Sequence, residues 1–265
     1  MICRELIEKL NCLCPPAYAF SWDNPGLIAG RDTKDIKTVY IALDATDAVI
    51  ASAIEAGADL LLTHHPLVFS PLKKINASDF TGRRLLTLIE HQVNCFAMHT
   101  NFDVAVMADL AAEKLGLLNP VPLSVTGENE NGPVGIGKTG SLASPVTLKD
   151  YASEIKKIFG LETVSVFGNP DTFVSRAAIC PGSGKSTIGD AVSAGADVLI
   201  TGDIGHHEGL DALACNLAII DAGHQGIEKI FIDYMKNYFV DRYGAIKDID
   251  FTPIFEELIF RGKEV

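Results

Sequence analysis

The sequence predicts an α/β fold of two similar α/β domains, arising from an internal duplication, with a dinuclear metal site in the cleft between them. The first observation behind this is a repeat. Residues 56–63 read AGADLLLT and residues 194–201 read AGADVLIT, identical at six of eight positions. The match extends backwards at the same offset: Ile41-Ala42 opens one unit and Ile179-Cys180 the other, each followed by a small-residue turn and a helical stretch. Each unit therefore reads strand, turn, helix, Ala-Gly turn, buried strand. The second observation is that the apolar runs 60–62 and 198–200 are unbroken, as suits strands covered on both faces of a parallel sheet. The third is that polar, metal-binding residue types stand just past these strands. Ligands gather at that place in open α/β sheets.

Taken in order, MICRELIEKLNCLCPP alternates charged and apolar residues every three or four positions and reads as an amphipathic helix, without the apolar core of a signal peptide. The first repeat unit follows. VNCFAMHTNFD (93–103) and NLAIIDAGH (216–224) then each run from an apolar strand into a short polar turn. Asn119-Pro-Val-Pro and residues 127–133, GENENGP, are turn and linker chemistry. They suggest a first domain over residues 1–127 and a second over 128–265. VGIGKTGSL (134–142) reads as a Gly-punctuated strand. Thr147 followed three residues later by Asp150 is a capping-box start to a helix through about Ile158. VSVFG (164–168) is a short strand, residues 227–243 an amphipathic helix, and residues 251–256 a last strand.

The formal charge of −12, from 22 basic and 34 acidic residues, speaks against a sequence-independent grip on nucleic acid. No stretch approaches the roughly 20 apolar residues of a membrane span. The six cysteines form no C-x-x-C pair, and reduced thiols in a cytoplasmic protein are the expectation.

Among seven histidines, His64-His65 directly follow the strand LLLT, and His224 lies just beyond AIID. Asp103 lies just beyond FAMH, in a place comparable to that of His224. Glu228 is four residues after His224, so on a helix starting near Gly223 the two share one face. Three imidazoles and two carboxylates suit zinc, iron or manganese. Five protein ligands exceed what one catalytic zinc uses, and fit two divalent ions sharing a bridging carboxylate. His99 could orient a ligand. His206-His207 read as sitting at the strand end equivalent to His64-His65 and could face the same cleft; all three are candidate proton carriers. His91, in the helix LLTLIEHQ, reads as structural.

PGSGKST (181–187) falls short of a Walker A motif, because the position five before Gly184 is Ile179. It reads as a tight strand-to-helix turn, with a phosphate cradle as the alternative. No Gly-x-Ser-x-Gly elbow or covalent nucleophile stands out. Trp22-Asp23-Asn24 reads either as a turn held by Asp or Asn side chains, or as a buried Trp anchor closing the N-terminal segment over the cleft.

SWDNPGL (21–27), LLLTHHPLVFSPLKKI (60–75), HTNFDVA (99–105), ITGDIGHHEGLDAL (200–213) and DAGHQGIEKI (221–230), in this order, resemble the NIF-three-like family. Its members are often labelled GTP cyclohydrolase I type 2 homologues, and the chain resembles the short bacterial form, with no domain inserted mid-chain. The resemblance implies two similar α/β domains with a dinuclear metal site held by His64, His65, Asp103, His224 and Glu228. It also implies ring-shaped homo-oligomers, commonly hexamers. The expected function is a metal-dependent hydrolase acting on a nucleotide-like or phosphorylated small molecule. The alternative is a non-enzymatic metal-binding regulatory, chaperone or adaptor protein.

Overall fold

The computed structural model describes residues 1–243 and the backbone of residues 251–253. The chain divides into two units. One comprises Met1–Asn11, Trp22–His99 and the described residues from Ile232 on; the other comprises Cys12–Ser21 and Thr100–Phe231.

The first unit opens with helix α1 (Cys3–Leu13), whose last two residues belong to the second unit and which buries Cys3, Leu6 and Leu10, the apolar face expected from the sequence. Its sheet contains β1 (Gly26–Ala29), β2 (Val39–Ala42), β3 (Leu60–Thr63), β4 (Asn94–Ala97) and β11 (Phe251–Pro253), in the order β1-β4-β3-β2-β11. Strands β2, β3 and β4 are parallel to one another, and β1 runs antiparallel to β4. Helix α2 (Asp47–Glu55) follows β2, with Thr46 accepting from the N–H of Val49 as its cap. Helix α3 (Phe80–Glu90) follows β3. All four residues of β2, of β3 and of β4 are buried, as the unbroken apolar runs require. Residues 254–256 of the expected last strand lie outside the described residues.

In the second unit, short helix α4 (Thr100–Phe102) leads into a π-helical turn (Asp103–Met107) and helix α5 (Ala108–Lys114). Strands β5 (Leu118–Asn129) and β6 (Gly132–Thr147) form a long hairpin, followed by α6 (Leu148–Ile158) and β7 (Ser165–Phe167). Then come β8 (Phe173–Ser183), α7 (Ile188–Ser193), β9 (Val198–Gly202), α8 (His206–Ala214), β10 (Ala218–Asp221), α9 (His224–Glu228) and α10 (Ile230–Tyr243), whose residues from Ile232 on belong to the first unit. The sheet order is β5-β6-β8-β9-β10-β7, with β8, β9 and β10 parallel and β7 antiparallel to β10. Thr147 caps α6 as expected, its hydroxyl accepting from the N–H of Asp150.

The residues expected to be linker, 119–133, instead form nearly all of β5, the turn after it and the start of β6, and the position between residues 127 and 128 falls inside β5. Pro120 and Pro122 are compatible with a strand here because β5 is the sheet edge, where a missing N–H need not face a neighbour. Gly135 and Gly140 let it approach, since a Cβ at either would collide with the β5 carbonyls of Ser124 and Leu118.

The two repeat segments carry the same hydrogen bonds. Gly57 and Gly195 both adopt φ of +67°, ending α2 and α7. Ala58 N–H donates to Ala53 O, and Ala196 N–H to Ala191 O. Asp59 Oδ2 accepts from the N–H groups of Lys37 and Thr38, and Asp197 Oδ2 from those of Ser175 and Arg176. Each carboxylate thus ties the start of its strand to the start of the preceding one. In both sheets an antiparallel strand precedes the parallel trio in sequence and pairs with its last member.

This register refines the sequence correspondences. Met98 N–H donates to Thr63 O and Ala222 N–H to Thr201 O, so His224 corresponds to Thr100, and Asp103 to Ile227, one residue before Glu228. Gly202 and Asp203 occupy the places of His64 and His65. His206-His207 do not: they lie four residues later, as the first two residues of α8.

Candidate metal centre

In the first unit three imidazoles gather past the ends of β3 and β4. The ring centroids of His64 and His65 lie 4.9 Å apart, those of His64 and His99 5.3 Å, and those of His65 and His99 5.5 Å. Each Nδ1 meets an acceptor: His64 Nδ1 is 2.7 Å from Met98 O, His65 Nδ1 is 2.9 Å from Asp44 Oδ1, and His99 Nδ1 is 2.7 Å from Asp23 Oδ1. A carbonyl or a carboxylate can only accept, so each Nδ1 carries the hydrogen and the neutral ring carries its lone pair on Nε2. Imidazoles that bind metals are fixed in this way, with the second nitrogen donating to an oxygen. His64 is fully buried and His65 half-buried.

In the second unit, β9 ends at Gly202 and Asp203 follows with φ of +58°, a left-handed conformation uncommon for a residue with a side chain. This turn brings Asp203 Oδ2 to 2.7 Å from His224 Nδ1. Helix α9 begins at His224, after Gly223 at φ of +75°, and one turn later Glu228 lies on the same face. His224 Nε2 stands 3.1 Å from Glu228 Oε2. With Nδ1–H given to Asp203, that nitrogen and oxygen are compatible neighbours when a proton or a cation sits with them. Cis ligands of one ion bound at ~2.0–2.2 Å stand about 3 Å apart, so the spacing suits a metal.

Two glycines make room for this pair. A Cβ at Gly182, whose φ is +72°, would collide with Glu228 Oε1, and one at Gly202 would collide with the backbone nitrogen of His224. Asp103 is half-buried at the start of the π-helical turn, a rare geometry often found at functional sites. Burial pushes the Cys180 thiol up to about 12, against a hydrogen bond from Thr187, and the charges of Asp103, Glu228 and Asp190 push the same way. Asp103 and Glu228 thus act on one buried thiol of this unit.

The five residues singled out as ligands therefore fall into two groups, His64-His65 in one unit and Asp103, His224 and Glu228 in the other. His99 joins the first group. His206 and His207 are exposed, with ring centroids 5.3 Å apart. His91 is exposed and bonds the carbonyl of Thr87 in its own helix, the structural role expected of it. PGSGKST is a strand-to-helix turn, with Thr187 Oγ1 donating to Gly184 O. Trp22 is not a buried anchor: it is 61% exposed, and the turn is held by Asp23 Oδ1 accepting from Asn24 N–H. The carboxylates Asp44 and Asp203, which orient His65 and His224, escaped the sequence reading. Their one sequence signal is an acidic residue just past a buried strand.

This mixed α/β chain is similar to known proteins over most of its length. Residues 1–255 match the family model Duf34/NIF3 (NGG1p interacting factor 3). A Streptococcus pneumoniae protein named GTP cyclohydrolase 1 type 2 homolog is 35% identical over 239 residues, 88% of each chain. A Clostridium perfringens protein of the same name is 32% identical over 223 residues, covering 83% of this chain and 84% of that one. The crystal structure of a Bacillus cereus protein related to NIF3 superposes with a TM-score of 0.88 over 97% of this chain and 98% of that one; at 24% identity this is a likeness of fold. The chain belongs to the Duf34/NIF3 family. Among the described residues, no helix is long and apolar enough to cross a membrane.

Proposed function

We propose that this protein is a metal-dependent hydrolase acting on a nucleotide-like or phosphorylated small molecule, with two divalent ions held by His64, His65, Asp103, His224 and Glu228. The observation that carries this reading is the anchoring of all three imidazoles. His64, His65 and His224 each give Nδ1–H to an oxygen, of Met98, Asp44 and Asp203 respectively, and so offer Nε2 as a ligand atom. The nitrogen and oxygen donors fit zinc, iron or manganese. Such ions, when bound, bring the acidity of water towards neutrality and polarise the centre under attack.

The protein's own residues supply the rest. Asp44, Asp203 and the Met98 carbonyl fix ring orientation, and Gly182 and Gly202 leave space for Glu228 and His224. Asp23 holds His99 beside the paired histidines, and this reading makes His99 a candidate to take or give a proton. His206 and His207 are further candidates for that role. The name of the Streptococcus pneumoniae relative suggests GTP as the first substrate to try. The shared hydrogen bonds of the two repeat segments support an origin by internal duplication, and a homohexameric ring in the cytoplasm remains the assembly and location proposed.

The test is metal analysis of protein purified without added metal, followed by assay of the reloaded protein against a metabolite panel that includes GTP. Two metals per chain and turnover abolished in His64→Ala and Glu228→Gln are the expected results. Turnover unaffected by either substitution would overturn the mechanism. Exchangeable metal with no turnover across the panel would favour a metal-binding regulatory or chaperone protein. Light scattering on the same sample reads the oligomeric state.

A further inference from the structure

We infer that Trp22 and Phe69 form a stacking site for the planar aromatic ring of the substrate, which deepens, and rests on, the reading of the histidine cluster as part of a metal-dependent site. Both side chains are large and apolar, yet Trp22 is 61% exposed and Phe69 50% exposed. Single exposed apolar residues are ordinary. These two are not scattered, because both converge on His99: Trp22 at 6.0 Å between centroids with planes at 74°, Phe69 at 5.7 Å and 81°. His99 in turn packs against His64 and His65.

The rings are also pinned at their bases. Asn24 Nδ2 donates to Val68 O at 2.6 Å, tying the turn that bears Trp22 to the segment that bears Phe69. Asp23, between Trp22 and Asn24, has a side chain with no exposure, and its Oδ1 accepts from Asn24 N–H and from His99 Nδ1, each at 2.7 Å. Aromatic surface held in place before a ligand arrives loses little freedom on binding. What such surface recognises is a π-face, which every heterocyclic base has and a sugar phosphate lacks. The inferred ligand class is therefore a molecule carrying a planar aromatic heterocycle, with that ring on Trp22 and Phe69 and the reacting group towards the histidines.

Trp22 is the sole tryptophan of the chain, so its emission reports the site directly. The experiment is a fluorescence titration of the full-length protein, as purified and after chelator treatment, with guanosine and with ribose 5-phosphate. Saturable quenching by guanosine and none by ribose 5-phosphate is the expected result. Phe69→Ala should weaken guanosine binding about tenfold, and Trp22→Ala should do the same by calorimetry, with Trp22→Phe restoring most of it. Unchanged thermal midpoints would show that the variants are folded. Absence of quenching overturns the inference, as does equal quenching by both ligands. It is also overturned by blue-shifted Trp22 emission that iodide cannot reach, which would mean that a second copy of the chain covers the rings. Because the readout needs no turnover, the two readings fail separately. Quenching in a protein that retains no metal sinks only the metal reading, and metal retention without quenching sinks only this one.

Discussion

Asp203 holds a left-handed backbone at φ of +58° so that its carboxylate can meet His224 Nδ1. Asp44 serves His65 from an ordinary strand end. If these carboxylates orient ligands, Asp203→Asn and Asp44→Asn should each weaken metal retention by about 10–100-fold, read by competition with a chelating dye. The thermal midpoint of the metal-free protein should hardly move. Gly182→Ala should behave differently. It places a Cβ against Glu228 and strains a backbone at φ of +72°, so it should cost about 1–3 kcal/mol in denaturant unfolding and release metal as well. The ligand candidates were legible because histidines and acids just past buried strands are conspicuous. Asp44 and Asp203 carry the same signal, but which imidazole each would meet was not legible. Asp44 and Asp203 each lie 21 residues from the imidazole they touch, and Asp23 lies 76 from His99. Nothing local in the sequence marks such pairs.

At the level of elements, the Asp59 bracket joins the starts of β2 and β3. Burial raises its carboxyl, but the N–H groups of Lys37 and Thr38 and the Lys34 ammonium outweigh it, and the group lies below the ordinary carboxylate value. A group whose value is lower when folded stabilises the fold at pH above its unfolded value, and that contribution disappears as acid protonates the folded form. Asp59→Ala should therefore cost about 1–3 kcal/mol at neutral pH, and the gap between variant and parent should narrow on acidification below the ordinary carboxylate range. Urea titrations at pH 7 and in acid check it. The repeat unit itself was readable from eight residues, because the Ala-Gly turn and the bracket acid recur together. The β5–β6 hairpin was not. Its prolines and glycines signal a linker unless one knows that β5 is an edge strand and that β6 must admit it closely.

For the whole molecule, any ion that binds the native chain and not the unfolded one adds stability by mass action, about 2.7 kcal/mol when free metal is 100-fold above its dissociation constant. Chelator treatment should lower the thermal midpoint of the parent, and adding back zinc, iron or manganese should restore it. The same treatment should leave His64→Ala largely unmoved; an equal loss in both would separate the stabilising metal from the proposed ligands. At this scale the sequence was most informative. Five motifs in a fixed order identified the family that residues 1–255 match. Fold class followed from the apolar strands, whereas the mixed parallel and antiparallel pairing of both sheets depends on contacts between segments that carry no shared pattern.

Position 202 has a consequence for mutational tolerance. It corresponds to a histidine in the other sheet, yet the backbone of His224 lies across it and leaves no room for a side chain. A saturation library selected for folded, metal-retaining protein should return glycine alone at this codon. At Gly57 and Gly195 the backbone is left-handed but a Cβ meets nothing within 4 Å, so asparagine should survive there too. The two sheets look interchangeable by register, but the residues their strand ends tolerate are not.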